Sequence, residues 1–202
     1  MNLADQVAAV QRSVLTHGDV HDVVLSRSFA AAPRELWLAC STPERLALWF
    51  GPVEGELHEG GRYRLPESST EGVVERCESG AAIEVTWEHG GGTSRVAVRV
   101  GAEGDGAVLS LTHTVPDDDH WRTYGPAATG AGWDGALLAL DLLLAGTPRL
   151  PGAEPFDATP EGHEAVGLWT DAWAAAHVEA GADPARARAA AERTAAFYRG
   201  EA

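Results

Sequence analysis

Leu3, Val7, Val10 and Val14 recur at helical spacing ahead of Gly18, which predicts a short amphipathic helix over residues 3–17. The period then changes to two. In HDVVLSRSF, Val23, Leu25 and Phe29 alternate with polar residues and predict a strand, although Arg27 falls on the apolar parity. The stretch AAPRELWLACSTPERLALWFGP holds two short helices. Pro33 and Pro43 occupy early helical positions, Ser41 or Thr42 caps the second helix, and Gly51-Pro52 ends it. Trp49 and Phe50 stand side by side next to that chain reversal.

Six strand-like runs follow: VEGELHE, GRYRLP, EGVVERCE, AAIEVTWEH, TSRVAVRV and AVLSLTHTV. Gly60-Gly61, PESST, Ser79-Gly80, the glycines at 90–92 and GAEGDG separate them, which predicts an antiparallel meander. PDDDHWRTYGP reads as a loop. A long helix comes next in ATGAGWDGALLALDLLLAG, with Trp133, Leu137, Leu140 and Leu144 on one face. A long apolar helix after a curved antiparallel sheet is expected to pack across its concave face. Residues 147–160 carry Pro148, Pro151, Pro155 and Pro160 and read as a linker.

Two more helices start at Thr159-Pro160 and Asp183-Pro184. Trp169 and Trp173 share a face of the first with Val166, and the second ends in Phe197-Tyr198. A tail with four large aromatic residues is expected to pack, either on its own chain or in a homodimer; packing in cis is the preferred reading.

The 202 residues fit one domain with appendages, or two small domains. The parsing is an N-terminal helix at 1–20, a main domain at 21–146, the linker at 147–160 and a helical extension at 161–202. A formal net charge of −15 repels phosphate backbones and anionic lipid, so neither nucleic acid nor a membrane is an expected partner. Cys40 and Cys77 have neither CxxC spacing nor a disulfide framework. Asp5 interrupts the first residues, so no secretory signal is expected, and a reducing cytoplasm is the expected compartment.

The opening strand followed in order by PRELWLACSTPERLALWFGP, GGRYRL, IEVTWE, LSLTHTV and GWDGALLALDLLL resembles the START-like or SRPBCC superfamily. The resemblance spans about residues 21–146 and points to the bacterial branch similar to the C-terminal domain of the activator of Hsp90 ATPase. The run RAAAERTAAFYRGE is similar to an extension found in some actinobacterial members. This resemblance implies an α+β helix-grip fold: a curved antiparallel sheet around a long C-terminal helix, with an apolar cavity between them. It also implies a small hydrophobic ligand, with polyketide cyclase or aromatase activity and a cochaperone-like or regulatory interaction role as alternatives. The family name alone does not imply activation of Hsp90.

Strand parity places Ile83, Val85 and Trp87 on one face, and Leu109, Leu111, His113 and Val115 on another strand's matching face. With Trp49, Phe50, Tyr63, Trp121, Tyr124, Trp133 and Leu137 they are the expected cavity lining; without the cavity that the resemblance supplies, the same residues read as core. His113 is the polar residue on an apolar parity. It is either an acid, base or hydrogen-bonding group within the cavity, or a core imidazole held by a backbone carbonyl. Tyr124 is the other catalytic candidate, as a donor to a ligand carbonyl, with plain packing equally compatible. Arg27 pairs either with a carboxylate ligand or, preferably, with an internal acid. Asp134 and Asp141, seven apart on the long helix, read as exposed or ion-paired rather than as a catalytic pair.

No metal and no cofactor is expected. DDDH at 117–120 lacks the EF-hand spacing, and neither HEGG nor HEAV completes HExxH. GAEGDG has no Walker lysine, and GTSR is not a nucleophile elbow.

Overall fold

A computed structural model of the protein describes residues 2–147 and 156–201. Pro148, Pro151 and Pro155 of the expected linker lie outside the described residues. The sheet has eight strands in the order β1-β2-β8-β7-β6-β5-β4-β3. They are β1 (Val10–His17), β2 (Val20–Phe29), β3 (Glu54–Gly55), β4 (Arg62–Leu65), β5 (Thr70–Glu78), β6 (Ala82–His89), β7 (Gly92–Glu103) and β8 (Gly106–Pro116). The helices are α1 (Leu3–Ala8), α2 (Pro33–Ser41), α3 (Pro43–Leu46), α4 (Asp119–Tyr124), α5 (Ala127–Leu144), α6 (Pro160–Glu179) and α7 (Pro184–Tyr198).

Three expectations need correction. The helix expected at 3–17 stops at Ala8, and Val10–His17 is a strand. VEGELHE pairs only through Glu54 and Gly55, and Leu57 joins an apolar cluster instead. The acidic loop at 117–120 starts a helix: Asp118 caps α4 by accepting from Trp121 N at 2.9 Å. The caps expected for the tail are present, since Thr159 accepts from Gly162 N and Asp183 from Arg186 N. Thr42 precedes α3, but its hydroxyl donates back to Leu38 O of α2.

The described chain forms two compact units. Of the described residues, the first comprises 2–25, 115–135 and 156–201, and the second 26–114 and 136–147. In the first unit the tail helices fold back on their own chain. Trp169 and Trp173 are buried, and Trp173 Nε1 donates to Asp134 Oδ2 at 2.8 Å. Arg12 Nη2 donates to Asp134 Oδ1 at 2.7 Å, so one buried carboxylate ties β1, α5 and α6 together. Gly130 makes room for this: a Cβ there would overlap the Trp173 ring. Thr194 Oγ1 donates to Tyr124 O at 3.0 Å, and Tyr198 OH to Ala128 O at 3.1 Å. Phe197 departs from the expected packing and is 63% exposed.

In the second unit, register assigns every strand residue to one of two faces. Trp87 lies opposite Ser94, Val85 opposite Val96, and Ile83 opposite Val98. Val96 lies opposite His113, and Val98 opposite Leu111. Val74 faces Val85, and Tyr63 faces Gly72. This is the apolar face. The register shifts between Val74 and Arg76. The extra residue of such a bulge returns Cys77 to the side of Ile83. The other face is a ladder of opposite charges: Arg95 with Glu75, Arg99 with Glu84, and Arg62 with Glu71 and Glu88. Water screens these exposed pairs, so the ladder fixes which face meets water more than it stabilises the sheet.

By length and composition α5 could cross a membrane, with mean hydropathy 1.2 over 18 residues. Half of that window is buried inside the protein, and both of its acids meet arginines, which marks it as a core helix. Arg27 of β2 reaches Asp141 at 2.7 Å, the internal pairing expected for an arginine on an apolar parity.

Candidate functional site

The apolar face of the second unit carries a cluster that is buried at its centre and partly open around it. Tyr63, Leu65 and Val74 are buried at its centre. Phe50, Val53, Leu57, Cys77, Ile83, Val85 and Trp87 pack around them but stay partly buried. Gly72 determines where Tyr63 lies, because a Cβ there would overlap Thr86 O and the Tyr63 ring. With no side chain at residue 72, the Tyr63 hydroxyl reaches Thr86 O at 2.7 Å and its ring is fixed.

A row of rings crosses this face. Trp49 is buried, and its Nε1 donates to Ala39 O of α2 at 2.9 Å. Phe50 lies 5.4 Å from Trp49, tilted, and meets Trp87 edge-on at 6.4 Å. The Trp87 and His113 rings are 5.8 Å apart. The chain reversal at Gly51-Pro52 therefore places one ring inward as an anchor and leaves its neighbour partly buried.

His113 is 7% exposed, and its Nε2 lies 2.8 Å from Ser94 Oγ. A side-chain hydroxyl, not a backbone carbonyl, thus supplies this contact. Burial pushes the imidazole down to about 4, so it is neutral at pH 7. Leu111 and Leu137, also on the expected lining, are buried in the same unit. Burial raises the Cys40 thiol to about 12, which makes it inert as a nucleophile.

The remaining expected lining residues, Trp121, Tyr124 and Trp133, belong to the first unit. Trp121 and Tyr124 stand on α4 rather than in a loop. Trp121 stacks on His21 with centroids 4.0 Å apart and meets His177 edge-on at 5.6 Å. Tyr124 packs between His120 and Phe197. Burial lowers the pKa of both His21 and His177; Asp117 partly offsets this at His21, and His21 reinforces it at His177. Among the described residues no cluster of three or more His, Cys, Asp or Glu is placed to hold a metal ion.

Residues 30–145 match the family described as activator of Hsp90 ATPase homolog 1-like protein. The chain belongs to this family. Its fold is accordingly the SRPBCC helix-grip fold, a curved antiparallel sheet with a long C-terminal helix. No curated protein matches it. The solution structure of CalU16 from Micromonospora echinospora is similar over 85% of this chain and 97% of its own, at 28% identity and a TM-score of 0.71. The crystal structure of CalU16 covers 83% and 98%, at 26% identity and 0.68. DynU16, from the dynemicin biosynthetic locus, shares the fold at 20% identity and 0.57, over 70% of this chain and 58% of its own. The likeness to CalU16 reaches beyond residues 30–145, so elements outside the family match are shared as well.

For this family member the histidines set a pH dependence. The folded-state pKa of His113 lies below the unfolded value near 6.5, so the unfolded chain takes up the proton first as pH falls. Stability should be complete above pH 6.5, fall between 6.5 and about 4, and lose nothing further to this group below that. The expected loss is roughly 3 kcal/mol, and His21 and His177 act in the same direction. Urea denaturation across this range measures the loss, and an NMR titration assigns it. A folded-state His113 ring that titrates near 6.5 would contradict it.

Proposed function

We propose that the protein binds a small hydrophobic ligand on the apolar face of the second unit, lined by Phe50, Ile83, Val85, Trp87 and His113. The observation that carries this is the half-covered cluster around Tyr63, Leu65 and Val74. Contiguous large side chains that remain partly open on a sheet face are the surface an apolar molecule gains most by covering. The two cysteines are free thiols, which supports a reducing cytoplasm as the setting.

A second reading, catalysis of the cyclase or aromatase kind, draws on Ser94 and His113, a hydroxyl and an imidazole at 2.8 Å. An imidazole with a pKa of about 4 is a weak base at neutral pH, which favours binding over proton abstraction.

Native mass spectrometry of protein purified from its own host tests the binding reading. The expected result is a bound species heavier than the denatured chain by the mass of one small molecule. Stripped protein should then take up an apolar fluorescent dye that the purified ligand displaces. Identical native and denatured masses, together with no dye uptake, would count against it.

A further inference from the structure

We infer that Ser94 and His113 are the specificity-determining pair of this site and select a neutral ring compound bearing one hydroxyl or carbonyl group. The inference rests on the binding reading above and names the ligand class. Register puts Ser94 opposite Trp87 and His113 opposite Val96, so the two are diagonal neighbours on one face. That face also carries Tyr63, Leu65, Val74, Val85, Val96 and Leu111; Thr70 engages Ser68 and His89, and Arg27, on the apolar parity of β2, is paired with Asp141.

The Ser94 hydroxyl has two acceptors within reach, His113 Nε2 at 2.8 Å and Trp87 O at 3.3 Å. It has one hydrogen to give, so two arrangements exist. In one, Ser94 donates to Nε2, and its own oxygen can accept from a ligand hydroxyl. In the other, Nε2–H donates to Ser94, and the serine hydrogen can turn from Trp87 O to a ligand carbonyl. Each arrangement leaves Ser94 one hydrogen-bonding position for the ligand.

A charged ligand fits neither arrangement. A neutral imidazole offers no countercharge, and an anion would lose its hydration without compensation. The ring preference comes from the partly buried Trp87, whose contacts with Phe50 and His113 are already those of one ring against another.

Calorimetric titration of stripped protein with three probes of one shape tests this: 1-methylnaphthalene, 1-naphthol and 1-naphthoate. The expected order is 1-naphthol roughly tenfold tighter than 1-methylnaphthalene, and 1-naphthoate weaker than both. In Ser94→Ala, checked for native circular dichroism, the naphthol advantage should vanish while 1-methylnaphthalene affinity stays within about twofold. His113→Asn, which removes the imidazole but keeps polar atoms, should reduce the advantage without inverting the order. Equal affinities in the wild-type protein, tightest binding of 1-naphthoate, or an advantage that survives Ser94→Ala would overturn the specificity claim and leave ligand binding standing. Failure of all three probes to bind would overturn both.

Discussion

Replacing Asp134 with alanine is expected to cost about 3–5 kcal/mol of stability, measured by urea denaturation. Asp134 is 2% exposed, and its carboxylate accepts three hydrogen bonds: two from Arg12, at 2.7 and 3.2 Å, and one from Trp173 Nε1 at 2.8 Å. Truncation leaves a guanidinium that is 6% exposed without its countercharge, and an indole N–H without its acceptor. The large loss comes from those stranded partners rather than from the attraction itself, because two charges removed from water gain little net energy by pairing. Two further variants separate these contributions. Trp173→Phe keeps most of the ring and forfeits one donor, so it should cost about 1–2 kcal/mol. Combining Arg12→Met with Asp134→Leu removes both charges and should recover most of the loss. If Asp134→Ala alone stayed within about 1 kcal/mol of the parent, the carboxylate would not be the tie that the geometry describes.

Much of the second unit was legible because its two faces differ so sharply in chemistry. Ile83, Val85 and Trp87 alternate with Glu84 and Glu88, and Val96 sits between Arg95 and Ala97; such runs read as half-buried strands without further information. The long helix and the caps at Thr159 and Asp183 were readable for the same local reason. Residues 10–17 were not. Val10 and Val14 are four apart, a spacing that satisfies helix and strand alike. What distinguishes them is Arg12, whose partner Asp134 lies 122 residues away. Asp118 falls in the stretch that reads as a loop, although an Asp three residues before the first buried position is a capping signal.

The site shows the same division. Parity alone marked His113 and Trp87. Ser94 was missed, because a serine near the start of a strand carries no signal until register sets it against Trp87. Trp121 and Tyr124 came to the cavity through the family resemblance, and the contacts they make are with His21, His177, His120 and Phe197.

The neighbouring rings at the chain reversal should separate cleanly in experiment. Trp49→Ala is expected to cost about 3–5 kcal/mol, as for a large core ring. Trp49 is 8% exposed and supplies the donor that holds the turn at residues 47–50 to Ala39 O of α2. Its removal opens a cavity and leaves a carbonyl unmatched. Phe50→Ala should cost roughly 1–2 kcal/mol, since the ring is only half-buried and part of its area is already in water. Its larger effect should fall on binding, because Phe50 forms one end of the ring row that continues through Trp87 to His113. Urea denaturation of the two variants, followed by titration of each with 1-naphthol, makes both comparisons. Trp49→Ala should lose stability, and Phe50→Ala should lose affinity with most of its stability intact. The opposite assignment would mean that Phe50 is the anchor and Trp49 the ring that meets the ligand, and the half-covered face would then have to be redrawn around Trp49.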